Sequence, residues 1–254
     1  MKSFSGKYFK FALIILVIGI IISITAFSLG GKFINLPTHN VTDFSESYVG
    51  VESLNIELGL SNIEVKTGSE FKIVATNVSS NTFKTYVENG IWYIQDKASS
   101  QWFNVNFNID NNNKVIIYIP ESFKSDKLKI NIGAGQLIGE KLVARSTDIK
   151  VGAGNLKISD LTTDEINVDC GVGNIEINGQ VNNKANLECG IGNMELNLKG
   201  NEKDYNYNLD VGIGSVILND NDFSGSENRV IDNKSDKLFK IECGIGKVSL
   251  NINE

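Results

Sequence analysis

Acidic side chains recur at one position of a repeated pattern in the C-terminal half of the chain. Asp169, Glu188, Asp210 and Glu242 each stand directly before the apolar residue that precedes a glycine. Glu176 and Glu195 form a second, shorter pair beyond the glycines. Carboxylate oxygens are natural ligands of Ca²⁺, so these residues are candidates for a weak divalent-cation site or a surface for a basic partner. Solvent-screened carboxylates that only maintain solubility are the alternative interpretation.

Catalytic chemistry finds little support in the sequence. His39 is the only histidine, and it lies in a region with the features of a linker. A Ser-His-Asp or Cys-His arrangement and a His-rich zinc site are therefore excluded from the repeats. Paired carboxylates of a polysaccharide-active enzyme would need basic partners, yet the repeats offer only scattered ones such as Arg145, Lys150 and Lys157. We therefore expect neither an enzyme nor a cofactor.

Three cysteines share one register of the repeat. Cys170, Cys189 and Cys243 occupy the position that is apolar in the other copies, so we expect buried, unpaired thiols. Cys170 and Cys189 should lie on neighbouring coils. Val211 stands between Cys189 and Cys243 in the sequence, and we expect its coil to keep those two thiols beyond bridging range.

The element that positions all these residues is a Gly-x-Gly motif that occurs six times. In each copy two apolar residues alternate before the glycines, and in all but the first copy two more alternate after them. The first three steps between copies are each 19 residues long, and the last two are longer. Self-similarity at such a period predicts a solenoid. The glycines are expected to be structural: Gly133, Gly135, Gly152, Gly154, Gly171, Gly173, Gly190, Gly192, Gly212, Gly214, Gly244 and Gly246.

One copy shows why the glycines are needed. Val168, Cys170 and Val172 alternate as in a half-buried strand, whereas Ile175 and Ile177 have the opposite parity. An uninterrupted strand would turn these isoleucines to solvent, so the chain must bend at the glycines. A dinucleotide loop is excluded, because strands rather than a helix follow the glycines.

The predicted fold class is all-β: a parallel β-helix, or β-solenoid, of about 19-residue coils with an irregular N-terminal β cap, preceded by one transmembrane helix. The predicted domains are a basic cytoplasmic tail (1–10), a transmembrane anchor (11–30), a linker (31–50), an irregular β region and cap (51–120) and the regular repeats (121–254).

The anchor is predicted from a run of 19 uncharged residues, 11–29, which is long enough to span a bilayer. Lys2, Lys7 and Lys10 precede it and only Lys32 follows closely, which places the N-terminus in the cytoplasm and the rest outside. A cleavable signal peptide is the alternative.

In the irregular region, residues 71–76, 83–88, 91–95 and 115–119 are predicted strands. Asn89-Gly90 predicts a two-residue hairpin turn. Aromatic residues gather here, and we expect them to form the core of an end cap rather than a sugar-stacking platform: Trp92, Tyr93, Trp102, Phe103 and Phe107.

The layout resembles a family of uncharacterised bacterial envelope proteins with β-strand repeats, labelled "putative adhesin". The Gly-x-Gly copies, the segment 87–94 and the strand 115–120 carry the resemblance, which covers residues 50–254. It implies a β-solenoid at the cell envelope and no family-wide catalytic residues. The irregular spacing of the last two copies departs from the pattern.

Three functions remain open. A non-catalytic, membrane-anchored adhesion or envelope-interaction module is preferred, with a cell-wall or envelope-protein partner. A sensor or regulator of envelope stress is the second, and a polysaccharide-active β-helix enzyme the third. The formal net charge of −6 argues against nucleic acid as a partner, because its phosphates would be repelled.

Overall fold

The computed structural model describes residues 41–96, 113–225 and 228–253, with the backbone alone at residues 60 and 61. Strands dominate this part of the chain, with one short 3₁₀ helix at Glu202–Asp204. The strands are β1 (Val41–Tyr48), β2 (Ser53–Gly68), β3 (Phe71–Ser79), β4 (Phe83–Glu88), β5 (Ile91–Asp96), β6 (Lys114–Pro120), β7 (Ser125–Lys199), β8 (Asn206–Val211), β9 (Ser215–Leu218), β10 (Asn221–Ser224), β11 (Asn228–Ile231) and β12 (Leu238–Asn253).

The long strand β7 coils upon itself. Its 75 residues contain four copies of the Gly-x-Gly motif. Side-chain hydrogen bonds join residues 19 positions apart, for example from Asn174 Nδ2 to Asn155 Oδ1 at 3.0 Å. A Cβ placed on Gly171 would lie 2.7 Å from the carbonyl oxygen of Gly152, one coil earlier. Successive copies are therefore stacked in register, as the repeat period predicts.

Each coil bends at the glycines, where the inward-facing positions change parity. Val168, Cys170, Ile175 and Ile177 are all buried. Val172 does not join them, although the alternation groups it with Cys170, because its side chain is 51% exposed. The bend thus begins immediately after Cys170 and turns Val172 outward.

The backbone at the second glycine excludes other residue types. Gly173 has φ +154°, and a Cβ there would overlap the carbonyl oxygen of Gly154 on the preceding coil. The corner is therefore fixed by close backbone approach between coils as well as by conformation.

The last two copies are stacked in the reverse of their sequence order. β12 pairs in parallel with the end of β7 on one side and with β8 and β9 on the other. The C-terminal strand therefore lies between coils that precede it in the chain. The polar segment 219–237 makes the return, and its strands β10 and β11 pair antiparallel with β9 and β8.

The N-terminal end has a similar arrangement. β2 lies between β7 and the pair β5 and β6, with parallel pairing on both sides. β4 pairs antiparallel with β5, β3 with β6, and β1 with β3. The four predicted strands correspond to β3 to β6, and the predicted turn is confirmed, with φ +50° at Asn89 and +76° at Gly90.

The aromatic residues of this end contribute to its core. Trp92 is fully buried, donates from Nε1 to Thr85 Oγ1 at 2.9 Å, and packs against the rings of Tyr48 and Phe71. Trp102, Phe103 and Phe107 lie outside the described residues. Burial of Trp92 agrees with the predicted packing role.

The predicted fold class is wrong in two respects. First, the twelve-stranded sheet of the described residues mixes parallel with antiparallel pairing. Second, the transmembrane helix of that fold class is not found among the described residues: across residues 41–96, 113–225 and 228–253, no helix has the length and apolarity to cross a membrane. The predicted anchor at 11–30 falls outside the described residues.

Candidate functional site

The predicted acidic residues form a row across neighbouring strands. Register pairs Glu242 with Glu188 on β7 and with Asp210 on β8. Asp169 lies one coil before Glu188, and the Nζ of Lys150 is 4.0 Å from its Oδ2. The structure therefore brings the four carboxylates together, with Glu242 between Glu188 and Asp210.

Lys240 offsets part of this negative charge. Its ammonium forms an ion pair with Glu242, and this hydrogen bond raises the pKa of Lys240 above its usual value. The charges of Glu242, Glu188 and Asp210 raise it further. Lys240 stands two residues before Glu242, so the alternation of the strand could have revealed the pair in the sequence.

The acidic row does not have the geometry of a metal centre. Within the described residues there is no group of three or more His, Cys, Asp or Glu side chains that could hold a metal ion. The row is instead an exposed line of carboxylates with Lys150 and Lys240 beside it. Salt and water screen such exposed charges.

The three thiols lie in a second row, inside the core. Cys170, Cys189 and Cys243 are buried and free, as the burial prediction requires. Contrary to expectation, Cys243 pairs in register with Cys189, and Val211 lies on the far side of Cys243. A hydrogen bond with Cys170 and burial raise the pKa of the Cys189 thiol, and burial raises the pKa of Cys243. The same hydrogen bond lowers the pKa of Cys170. Cys189 and Cys243 are therefore protonated near neutral pH and poorly suited to nucleophilic chemistry.

The glycine corner presents three adjacent rows of side chains to solvent, which together we call the corner face. The aliphatic row comprises the residue between the two glycines of each coil: in spatial order Ala134, Ala153, Val172, Ile191, Ile245 and Ile213. The amide row follows the second glycine: Gln136, Asn155, Asn174 and Asn193, then Lys247. The charged row comes two residues later: Lys157, Glu176 and Glu195, then Ser249.

The aliphatic row exposes apolar side chains along the corner. Val172 is 51% exposed and Ile213 60% exposed, while Ile191 and Ile245 are half-buried. The side chains of this row increase in size from alanine to isoleucine along the stack of coils. A contiguous apolar strip of this kind on a surface is typical of an interaction site.

Hydrogen bonds order the amide row. Asn174 donates to Asn155 at 3.0 Å and accepts from Asn193 at 3.2 Å. An amide side chain has two N–H donors and two acceptor lone pairs, so each of these contacts uses part of its capacity. The remaining groups can bind water or a ligand, once per coil.

The charged row contains an ion pair. Lys157 Nζ lies 2.9 Å from Glu176 Oε1, and this hydrogen bond is the largest cause that lowers the pKa of Glu176. Glu195 accepts from Asn197 Nδ2 at 3.2 Å. Glu176 is therefore held as a carboxylate and is poorly suited to act as a general acid near neutral pH.

A groove of about 590 Å³ runs along the amide and charged rows, and we call it the corner groove. It extends from Gln136 to Lys247 and Ser249, so it crosses the coils of β7 and continues onto β12. Of the predicted acidic residues, only Glu176 and Glu195 line it. The amide row was not among the predicted site residues, although Asn after Gly-x-Gly in successive copies was a visible signal.

Comparison with solved structures finds proteins of similar extent. A "putative cell adhesion protein" from Clostridium sporogenes is 18% identical with a TM-score of 0.41, and the match covers 85% of this chain and 100% of that one. A "putative adhesin" from Bacteroides fragilis is 13% identical with a TM-score of 0.34, covering 82% and 97%. At these sequence identities and TM-scores, neither structure indicates the activity or the partner of this chain.

A "putative adhesin" from Parabacteroides merdae gives a comparable result: 12% identity, a TM-score of 0.36, and coverage of 83% of this chain and 96% of that one. The search of curated proteins found no match. The family model described as "Toastrack DUF4097" matches residues 51–251, which include the stacked coils but not the edge strand β1. The chain therefore belongs to the Toastrack DUF4097 family.

Proposed function

We propose that this protein is a non-catalytic interaction module of the cell envelope that binds its partner along the corner face. The observation that carries the proposal is the alignment of aliphatic, amide and charged rows beside one groove of about 590 Å³. The extracytoplasmic location predicted from the sequence forms part of the proposal.

The repetition of the rows suits an elongated partner. Stacked coils lie about 4.8 Å apart, so a linear molecule parallel to the stack meets the same kinds of group at each step. Solenoid proteins use such extended surfaces for binding. Several weak contacts of this type add to a useful affinity without a deep pocket.

The chemistry of the groove favours binding over catalysis. Its carboxylate Glu176 is paired with Lys157, and Asn174 and Asn193 are hydrogen-bonded within their row. Catalytic carboxylate pairs require one member with a raised pKa, whereas the pKa of Glu176 is lowered.

The experiment is a pull-down of purified full-length protein with bacterial cell-wall and membrane fractions. Asn174→Tyr places a bulky ring in the corner groove. The matched control is Asn167→Tyr, at an exposed asparagine of β7 whose Oδ1 accepts from Asn186 at 2.8 Å and which does not line the groove.

We expect Asn174→Tyr to weaken binding to the fraction by about tenfold or more, equivalent to about 1.4 kcal/mol, and Asn167→Tyr to leave it unchanged. Equal melting midpoints would show that both variants fold. Equal binding by both variants, or no binding to any envelope fraction, contradicts the proposal.

A further inference from the structure

The corner groove also indicates the class of molecule that it accepts. We propose that it binds a linear, uncharged glycan whose sugars carry acetamido groups. This inference rests on the proposed function and specifies its partner. The evidence comes from the charge of the groove, its amide row and the aliphatic row beside it.

The balance of charge in the groove selects an uncharged partner. Two lysines, Lys157 and Lys247, and two glutamates, Glu176 and Glu195, line it. A polyanion would meet the glutamates, and a polycation would meet the lysines. Since Lys157 and Glu176 already neutralise each other at 2.9 Å, a neutral chain loses the least solvation on binding.

The amide row selects a partner that carries amides. The contacts between Asn155, Asn174 and Asn193 are amide-to-amide hydrogen bonds of 3.0 and 3.2 Å. Each asparagine keeps a second N–H and a second carbonyl lone pair for use outside the row. An acetamido group offers one N–H and one C=O, so it can accept from one asparagine and donate to its neighbour.

The aliphatic row accounts for the methyl group of an acetamido substituent. Val172 and Ile191 stand two residues before Asn174 and Asn193, on the other side of the second glycine and outside the residues that line the groove. A glycan that extends from the groove across the corner can place an acetamido methyl group against these partly exposed apolar side chains, where it leaves water. A glycan with hydroxyl groups alone offers no such apolar group.

The spacing of the rows argues against an extended peptide, the other common amide polymer. Peptide residues in a strand are about 3.3 Å apart, whereas the coils are about 4.8 Å apart, so the two repeats lose register within a few steps. Sugar units are longer than amino-acid residues and can place one substituent opposite each coil or each second coil.

The test is calorimetric titration of the full-length protein with three hexasaccharides of one linkage: the N-acetylglucosamine hexamer, its deacetylated glucosamine counterpart and the glucose hexamer. We expect the acetylated hexamer to bind at least about tenfold more tightly than the other two. Comparable binding of the glucose hexamer, or no binding of the acetylated one, overturns the inference.

A matched pair of double variants locates the site. Asn174→Ala with Asn193→Ala removes amides from the groove, and Asn167→Ala with Asn186→Ala removes a hydrogen-bonded amide pair from another row. We expect the first pair to lose at least about tenfold in affinity for the acetylated hexamer and the second to retain it. Equal loss in both contradicts the assignment.

The two proposals can fail separately. If wall or membrane fractions bind and Asn174→Tyr blocks them while the acetylated hexamer does not bind, the glycan assignment is wrong and the corner face remains the binding surface. An Asn-rich peptide serves as a further probe, and tighter binding of that peptide than of the hexamer would assign the groove to polypeptides instead.

Discussion

Cys243 pairs in register with Cys189, although Val211 separates the two in the sequence. Val211 pairs instead with the other side of Cys243. The C-terminal strand β12 is therefore an internal strand of the sheet, with fifteen residue pairs along β7. Because β12 contacts coils on both sides, the end of the chain holds the last coil, β8 and β9, onto the rest of the fold.

Phe239 is the residue of β12 whose loss should cost most. Its side chain is fully buried, with ring centroids 4.5 Å from Tyr205 and 6.0 Å from Tyr207. Truncation of a buried phenylalanine costs about 3–5 kcal/mol, since the cavity is not refilled. We expect Phe239→Ala to lower the free energy of unfolding by that amount, measured by urea denaturation.

Val230→Ala is the control for this measurement. Val230 belongs to β11, on the same end of the sheet, but its side chain is 72% exposed. We expect a change within about 0.5 kcal/mol, as for other exposed positions. A similar loss in both variants would mean that the strand order at this end is different.

The buried thiols of Cys189 and Cys243 should make the protein less stable at alkaline pH. The pKa values of Cys189 and Cys243 are raised in the folded state, so the folded protein holds these protons more tightly than the unfolded chain does. Their contribution is fully present below the unfolded pKa of about 8.5 and is lost as pH rises through the folded values. We expect the free energy of unfolding to fall above about pH 8.5.

Replacement of both thiols separates this effect from other alkaline titrations. Burial also raises the pKa of Tyr48 to about 12, so some decline at high pH will remain without the cysteines. Cys189→Ala with Cys243→Ala should flatten the slope of unfolding free energy between about pH 8.5 and 10. An unchanged slope would show that the thiols do not titrate with unfolding.

The glycine period predicts the stacking of the coils but not their order. The copies at Gly212 and Gly244 have the same apolar register, so either can pair with the coil of Gly190, and the pattern contains nothing that chooses between them. The choice depends on how the long segment 219–237 returns, with β10 and β11 covering the outer strands. Such long-range pairing is not encoded in the local pattern.

The residues of the candidate site can be predicted only in part from the sequence, because the local pattern does not show where the chain bends. Glu176 and Glu195 were recognised because charged residues stand out, whereas the asparagines beside them are also common turn residues. Val172 is apolar and alternates with Cys170 as a core residue would, yet the bend turns it outward. Repeated polar residues beside a glycine corner identify a surface row only when the position of the bend is known.

The corner itself depends on Gly173. A side chain at φ +154° is strained, and the new Cβ would overlap the carbonyl oxygen of Gly154. Strain of this type costs about 1–3 kcal/mol, and we expect Gly173→Ala to exceed it because backbone must also move. The control is Gly225→Ala, with φ +84° but no atom of the described residues within 4 Å of the added Cβ. Thermal unfolding should show a larger loss of stability for Gly173→Ala than for Gly225→Ala. Equal losses would mean that the strained backbone conformation alone, without the overlap with Gly154, accounts for the effect.

Lys240 should stabilise the fold through its charge, and this stabilisation should depend on the salt concentration. Its ammonium pairs with Glu242 and lies in the field of Glu188 and Asp210, so Lys240→Gln leaves three neighbouring carboxylates with less compensation. The side chain of Lys240 is 50% exposed, so solvent limits the loss to about 1 kcal/mol or less at low ionic strength. At about 1 M salt, where the screening length is about 3 Å, the variant and the parent should have nearly equal stability.

Thermal unfolding in the presence of Ca²⁺ tests the acidic row independently. Since no metal-binding group of acidic residues exists within the described part of the chain, we expect millimolar Ca²⁺ to shift the melting midpoint of the parent no more than an equal ionic strength of Na⁺ does. The variant with Asp169→Asn, Glu188→Gln and Asp210→Asn should respond in the same way. Stabilisation by Ca²⁺ in the parent alone would contradict this expectation and would identify the acidic row as a cation site.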